Sequence, residues 1–464
     1  MSKSFAPIAA LFVSIALVLT GYGLLTILTP VAADRLGLSD ILVGFLGTAY
    51  FGGLTLGCFL VPIVIARVGH IRAFTAFTAL ATVTPLLQGV VLSGEVWIVL
   101  RIVTGFCYAG ISMVIESWLN ERADNSNRGF ILSTYTGLNL LVAVIGQQML
   151  GLGDPAGPEL FILVAIFVTI SAIPVALTRS PAPEIPASTT LQLRRLIQNS
   201  PVAAGAVFGT GLANGAFWSL APLYPQELGL SETNVASFVS AAVIGGAVAL
   251  WPLGWLSDRR DRRLVIAGIC IGAAIASLGL TTLSALPFVA LAAIAFLYGA
   301  TALPAYSLSI AHANDHADPG MSVSLSGSLL LLWGVGATIG PTVAAFAMEL
   351  GGSATLLFAF TGIAFALLAV FTIYRMTVRP APTEAQKETF VYVPRTSPAV
   401  FQLDPRGEDG GGEEAAWGEP PPMPDLAQMA EEGEGGEGDA AGPSVSPEAP
   451  PASGPDDPTG RPGS

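Results

Sequence analysis

Apolar runs of about twenty residues, separated by short polar clusters, recur along the first 376 residues of this chain. Each is long enough to cross the ~30 Å hydrocarbon core of a bilayer as a helix. The pattern predicts twelve spans, at about 8–31, 40–66, 73–93, 96–118, 129–152, 159–178, 201–226, 233–256, 264–283, 286–311, 321–349 and 353–375. Gly and Pro fall inside many of them, as membrane helices allow. Residues 380–464 follow no such pattern.

Composition agrees. The 464 residues are 52% hydrophobic and 11% charged, with a mean hydropathy of +0.65, values no water-soluble globular domain of this length tolerates. Charge placement then orients the spans. Arg67 and Arg72, Arg122 and Arg128, Arg179, Arg194 and Arg195, and the quartet Arg259, Arg260, Arg262 and Arg263 fall in loops on one face. Arg35 alone falls in a loop on the other. Short Lys/Arg-rich loops stay cytoplasmic, so both termini are expected inside. The first apolar run exceeds the 7–15 residues of a signal-peptide core and is read as a span. Cys58, Cys107 and Cys270 all lie within spans, with no disulfide framework or metal-ligand spacing.

The tail differs in kind. Residues 380–464 hold 17 Asp/Glu against 4 Lys/Arg, and are rich in Pro, Gly and Ser. Such a segment is expected to be disordered, because it cannot bury enough apolar surface to offset its ordering entropy, and nothing in it is expected to pack into the bundle. The expected organisation is a bundle at 1–178, a cytoplasmic linker at 179–200 with an amphipathic stretch at 191–197, a second bundle at 201–379 and the acidic tail.

The two bundles look like copies. "LGLSD" at 36–40 and "LGLSE" at 228–232 each precede a long span, 192 positions apart, and that offset aligns Gly53 with Gly245 and Arg67 with Arg259. Parallel six-helix repeats about an axis along the membrane normal describe one transporter architecture. Gly254-x-Leu256-x-Asp258-Arg259, then Arg262-Arg263, resembles the loop motif of the major facilitator superfamily, with Asp261 where the motif has glycine. The first-half copy keeps Arg67 and Gly69 but has Ala66 in place of the acid. Arg101-x-x-x-Gly105-x-x-x-Ala109 resembles the family's fourth-helix pattern. "VIESWL", "NRGFILSTY", Gly146-Gln147 and "APLY" are similar to a YcaD-like branch of bacterial inner-membrane facilitators. The resemblance implies an all-α fold of two six-helix bundles and alternating access to a central pathway.

Ionisable groups inside spans are costly and therefore functional candidates. At 100° per residue, Arg101, Gly105, Tyr108, Ser112 and Glu116 form one polar stripe. Arg101 is read as facing the cavity in preference to snorkelling outward, while Glu116 is balanced between a proton relay and an interfacial ion pair. The resemblance makes helices 1, 4, 7 and 10 line the pathway, which adds Asn214, Trp218, Tyr224, Tyr298 and Tyr306. It also makes Asp258, with Arg259, Arg262, Arg263 and Arg67, a conformational latch, Asp258 meeting the start of the fifth helix near 127–131, where free N–H groups favour an acid. Gly336-x-x-x-Gly340-Pro341 permits close helix approach. His312 and His316, beside Asp315 and Asp318, are read as solvated loop residues, not metal ligands.

These readings predict a transporter of a small organic solute, in a bacterial inner membrane, with protons as a candidate coupling ion. No cofactor, no nucleic acid and no second subunit is expected. The rival is a scaffold or sensor docking partners through its acidic tail. An enzyme is excluded by the lack of a phosphate-binding glycine loop, nucleophile motif or metal cluster.

Overall fold

The computed structural model describes residues 5–123, 127–177, 192–315, 322–378, 390–392 and 394–403. Among them there is no strand. The helices are α1 Phe5–Arg35, α2 Asp40–Val68, α3 His70–Val90, α4 Gly94–Arg122, α5 Arg128–Gln148, α6 Glu159–Ala176, α7 Leu193–Asn199, α8 Pro201–Leu220, α9 Leu223–Glu227, α10 Glu232–Arg259, α11 Arg262–Thr282, α12 Phe288–Ala302, α13 Ala305–Asn314, α14 Ser322–Gly351 and α15 Thr355–Val378.

The duplicated pentapeptide explains how two of the long helices begin. Gly37 and Gly229 adopt positive φ (74° and 71°), the left-handed conformation that ends the preceding helix. Ser39 and Ser231 then cap α2 and α10, accepting from the N–H groups of Leu42 and Asn234. Asp40 and Glu232 follow in the first turn, where the helix dipole favours an acid.

Eleven segments among the described residues are long and apolar enough to cross a membrane. The twelfth expected span coincides with α8, whose 20 residues are rich in Gly and Ala and include Asn214. Small residues make it less apolar than the eleven but let α14 approach closely. Two expected spans are interrupted where a proline removes a backbone donor. The 201–226 span breaks after Leu220, before Pro222, and the 286–311 span breaks at Leu303-Pro304, between α12 and α13.

Packing repeats as the sequence does. In the first half α1 packs on α5 and α6, α2 on α4, and α3 on α4 and α6. In the second half α8 packs on α14 and α15, α10 on α12, and α11 on α12 and α15. The repeat extends to single atoms. A Cβ built on Gly53 would lie 2.1 Å from the Ile102 carbonyl oxygen, and one on Gly245 would lie 2.0 Å from that of Phe296. Likewise a Cβ on Gly105 would lie 2.0 Å from the Tyr50 carbonyl oxygen, and one on Gly299 1.8 Å from that of Ala242. Such contacts leave no room for any other residue. The halves meet along α2–α14 and α5–α10. Thr48 on α2 donates to the Thr338 carbonyl at 2.6 Å and lies 2.7 Å from the Thr342 hydroxyl on α14.

One part of the tail departs from expectation. Residues 390–392 and 394–403 pack into the bundle, and a 3-10 helix at Pro398–Leu403 lies against α4, α5 and α14. Ala399, Val400 and Phe401 are buried there. The reason is local composition: residues 390–403, FVYVPRTSPAVFQL, contain no acid and are mostly apolar. The remainder of 380–464 lies outside the described residues.

Candidate substrate pathway

A cavity of about 150 Å³ lies between the halves, lined by α1, α2, α4, α5, α8, α10, α14 and the tail segment. Six aromatics of the bundle line it: Tyr22, Tyr50, Phe51, Tyr108, Trp218 and Trp333. Polar positions come chiefly from the first half, including Ser112, Thr136, Asn139 and Gln147.

Of the α4 stripe, Tyr108 and Ser112 face this space directly. Arg101 is buried inside the protein, its guanidinium carbon 4.6 Å from the centre of the Tyr50 ring. It stands behind that ring and does not itself line the cavity. Tyr50, Tyr22 and Tyr108 stack as a cluster, with centroids 5.8 Å apart for Tyr22–Tyr50 and 4.6 Å apart for Tyr22–Tyr108. Desolvation makes this cation–aromatic contact worth about 2 kcal/mol, against roughly 0.5–1 at an exposed site.

Glu116 is fully buried and meets hydroxyls, not a cation. Tyr135 on α5 donates to it at 2.8 Å, and Thr396 and Ser397 of the tail donate to both its oxygens. The interfacial ion pair weighed for it is therefore replaced by three hydroxyl donors.

The other expected pathway residues divide. Trp218 lines the cavity, and Tyr306 packs against Trp333 and the tail's Arg395. Tyr224 donates to the Leu280 carbonyl at 2.9 Å and packs on Phe238 and Phe358. Tyr298 sits among Phe217, Phe358 and Phe365, and Asn214 is buried off the cavity lining. None of those three lines the cavity. No described residue of α12 or α13 lines the cavity directly, contrary to the expectation for the tenth span, but Tyr306 backs its wall at Trp333 and Arg395.

Polar contacts close the face of the bundle that carries Arg35. Arg35 pairs with Glu232, and Gln226 donates to Asp34 at 2.6 Å. Deeper in, Gln148 donates to Ser240 at 2.9 Å, and the Ser240 hydroxyl donates to Gln147 at 3.0 Å. Toward the opposite face, which carries the arginine quartet, the halves are bridged by the tail segment.

Two related bundles around a shared cavity are the geometry to set beside known proteins. The sequence profile of the Major Facilitator Superfamily matches residues 11–335 and 203–419. The chain belongs to the Major Facilitator Superfamily. Its relatives include an MFS-type transporter of Enterobacter sp. (strain 638), 25% identical over 351 residues that cover 75% of this chain and 91% of the relative. YcaD, an MFS-type transporter of Escherichia fergusonii, is 24% identical over the same shares. Among solved structures, the nucleoside transporter NupG superposes with a TM-score of 0.65 at 13% identity, covering 81% of this chain and 100% of NupG. The fucose:proton symporter FucP, in its outward conformation, gives 0.53 at 16% identity, covering 80% of this chain and 98% of FucP. Membership in this family and its YcaD branch supports membrane transport in place of enzymatic chemistry.

The superfamily loop motif is built differently from expectation. Asp258 accepts from Arg262 at 3.1 Å and from the Phe390 backbone N–H at 2.9 Å, and the start of α5 is not among its partners. The acid does find a free N–H, but one from the chain's own tail, at Phe390. Arg262 also pairs with Asp315 at 3.3 Å, and Arg259 lies 4.1 Å over the Trp255 ring. Arg67 is exposed, with no ion pair among the described residues. Asp261, where the motif has glycine, caps α11 by accepting from the Arg263 N–H at 3.0 Å, and its carboxylate also pairs with that side chain at 2.8 Å. Burial alone would raise the Asp261 carboxyl, but hydrogen bonds and charge from Arg263 hold it below the usual carboxylate range. His312 and Asp315 are buried, because α13 runs on to Asn314, so they are not the solvated loop residues expected. His316 and Asp318 lie outside the described residues.

Sequence reasoning missed Tyr22, Tyr50 and Trp333, single aromatics among many on apolar helices. It also missed Arg395, Thr396 and Ser397, although an acid-free island inside an acidic tail was a readable signal.

Proposed function

We propose that the chain is a secondary transporter of a small organic solute, working by alternating access between two six-helix bundles in a bacterial inner membrane. Both termini, and the face bearing the arginine quartet, are cytoplasmic in this reading. The observation that carries it is a cavity lined from both halves at the interface of two repeat-related bundles, with direct polar contacts Arg35–Glu232, Gln226–Asp34 and Gln147–Ser240 between the halves on the side that carries Arg35. The conformation corresponds to a state closed to the periplasm. α8 serves as the seventh of twelve spans. Glu116, buried and without a cationic partner among the described residues, is the candidate proton site.

Metabolite profiling of cells with and without the chain tests the reading. A solute pool should shift when the chain is present. Cross-linking an Arg35→Cys/Glu232→Cys pair should hold the outer face shut and abolish that shift, and reductant should restore it. A pool indifferent to the chain, or equally shifted with the pair cross-linked, contradicts transport. A reporter fused after residue 261 should read out as cytoplasmic, and a periplasmic readout overturns the orientation.

A further inference from the structure

The cavity is occupied from within the chain. Eleven residues, 379–389, lead from the end of α15 to Phe390. Residues 390–403 then carry a single cation, Arg395, whereas residues 404–464 carry 15 acids and two arginines. The segment touches both halves. The Phe390 N–H donates to Asp258, and its ring fills the notch at Gly254, where an added Cβ would fall 2.3 Å from the ring. Thr396 and Ser397 donate to Glu116 on α4. The Arg395 guanidinium carbon lies 5.3 Å from the Trp333 ring centre and 5.8 Å from that of Tyr306.

These contacts are a ligand's contacts, not those of a greasy plug. A cation rests on aromatic faces and hydroxyls satisfy a buried carboxylate, the two attractions such a pocket offers a solute. The space left around Arg395 and Thr396 in the central cavity, about 150 Å³, is smaller than the roughly 300–1,000 Å³ that holds a drug-sized ligand, while a separate groove of about 680 Å³ runs between α5, α10 and Phe390–Tyr392. If the segment leaves, Glu116 retains only Tyr135 as a donor and becomes the uncompensated charge of an aromatic cavity. Arg101, the fixed cation nearby, is screened behind Tyr50.

We infer that residues 390–403 are a tethered pseudo-substrate of the central cavity, and that the solute this cavity takes is an amphipathic organic cation whose charged group sits where Arg395 sits. The inference rests on the transport reading for what a solute means here, but its test is binding alone and succeeds or fails whether or not flux occurs. An eleven-residue tether holds the segment at an effective concentration on the order of millimolar, so a solute must compete with it or wait for its release.

The experiment compares ethidium, an aromatic cation, and fluorescein, an aromatic anion, binding to purified protein by fluorescence. The full chain, the full chain with Arg395→Ala, and a chain ending at residue 380 are measured in parallel. Ethidium affinity should rise about tenfold or more on truncation and by a smaller factor in Arg395→Ala, which keeps the segment and guards against misfolding of the truncated chain. A synthetic peptide of residues 390–403 at millimolar concentration should displace ethidium from the truncated chain, and Glu116→Gln in that chain should lose the gain. Fluorescein should gain nothing. Equal ethidium affinity in all three chains, no displacement by the peptide, or an equal gain for fluorescein overturns the inference.

Discussion

The first half of the molecule and the second share a skeleton and differ in chemistry. Gly53 and Gly105 lock α2 to α4 as Gly245 and Gly299 lock α10 to α12, at offsets of 192 and 194 positions. The same offsets carry Tyr22, Tyr50, Arg101, Tyr108 and Glu116 onto Asn214, Ala242, Ala295, Ala302 and Ile310. A cation, three tyrosines and a carboxylate in one half thus face mostly small or apolar side chains in the other. Duplication conserved what backbone contact demands, since a glycine against a carbonyl admits no substitute. It left the surrounding positions free to diverge, so the counterparts of Arg101 and Glu116 carry no charge. The second half answers with Trp333 and Tyr306, faces on which a cation can rest.

The sharpest way to test the shared skeleton is Gly53→Val beside Gly245→Val. Both push side-chain atoms into a facing backbone carbonyl and should cost about 3 kcal/mol or more, losing monodisperse protein on size exclusion. Tolerance of one but not the other would break the equivalence of the halves. Next comes the unshared chemistry. Arg101→Ala should remove roughly 2 kcal/mol of cation–aromatic attraction that orients Tyr50, lowering transport about tenfold or more while membrane insertion persists. Lys should rescue in part, since an ammonium keeps charge without the planar stack. Ala295→Ser at the equivalent place should change transport less than about twofold, the range of an ordinary mild substitution. A third, smaller effect belongs to the closed face. Arg35 and Glu232 are partly exposed, so Arg35→Ala should shift the conformational equilibrium by no more than about 1 kcal/mol, a few-fold change in thiol labelling of a cysteine at Ser219 that added salt reproduces.

The smallest effect is one of pH. Because the Asp261 carboxyl is held below its ordinary 3.8, its contribution to capping α11 is present above that value and lost as pH falls through the lower folded-state value. Solvent screening of this partly exposed group keeps the effect to a fraction of a kcal/mol. Asp261→Asn should leave melting at pH 7 almost unchanged and flatten the acid limb of a melting-temperature profile. An unaltered acid limb would remove the pair from the account.

How much of this was legible follows from what each feature leaves in the sequence. Span positions are written in runs of twenty apolar residues, and the repeat in "LGLSD" and "LGLSE", whose glycine and serine have fixed backbone tasks. Gly336 and Gly340 were readable as close-approach residues, and they abut the Phe208 and Leu212 carbonyls of α8. Rotation about a helix axis is less legible. Tyr298 and Tyr306 share an expected span, but the break at Pro304 resets the face, so one packs inward and the other reaches Arg395. Long-range partners left no local trace: nothing near Glu116 announces Thr396 or Ser397, about 280 residues away. Average composition hid the tail segment, since 17 acids over 85 residues mask 14 that carry none.

The most direct test of one-sided chemistry places a cysteine at Thr396 in a chain whose Cys58, Cys107 and Cys270 are replaced by Ala. A second cysteine goes either at Ser112, on the α4 stripe, or at Ile310, the repeat-equivalent of Glu116, and membranes are treated with a flexible bifunctional thiol reagent. Thr396→Cys should cross-link efficiently to Ser112→Cys, since both positions line one small cavity, and little to Ile310→Cys, which is buried and does not line it. Equal cross-linking to both positions, or none to Ser112→Cys, would contradict it.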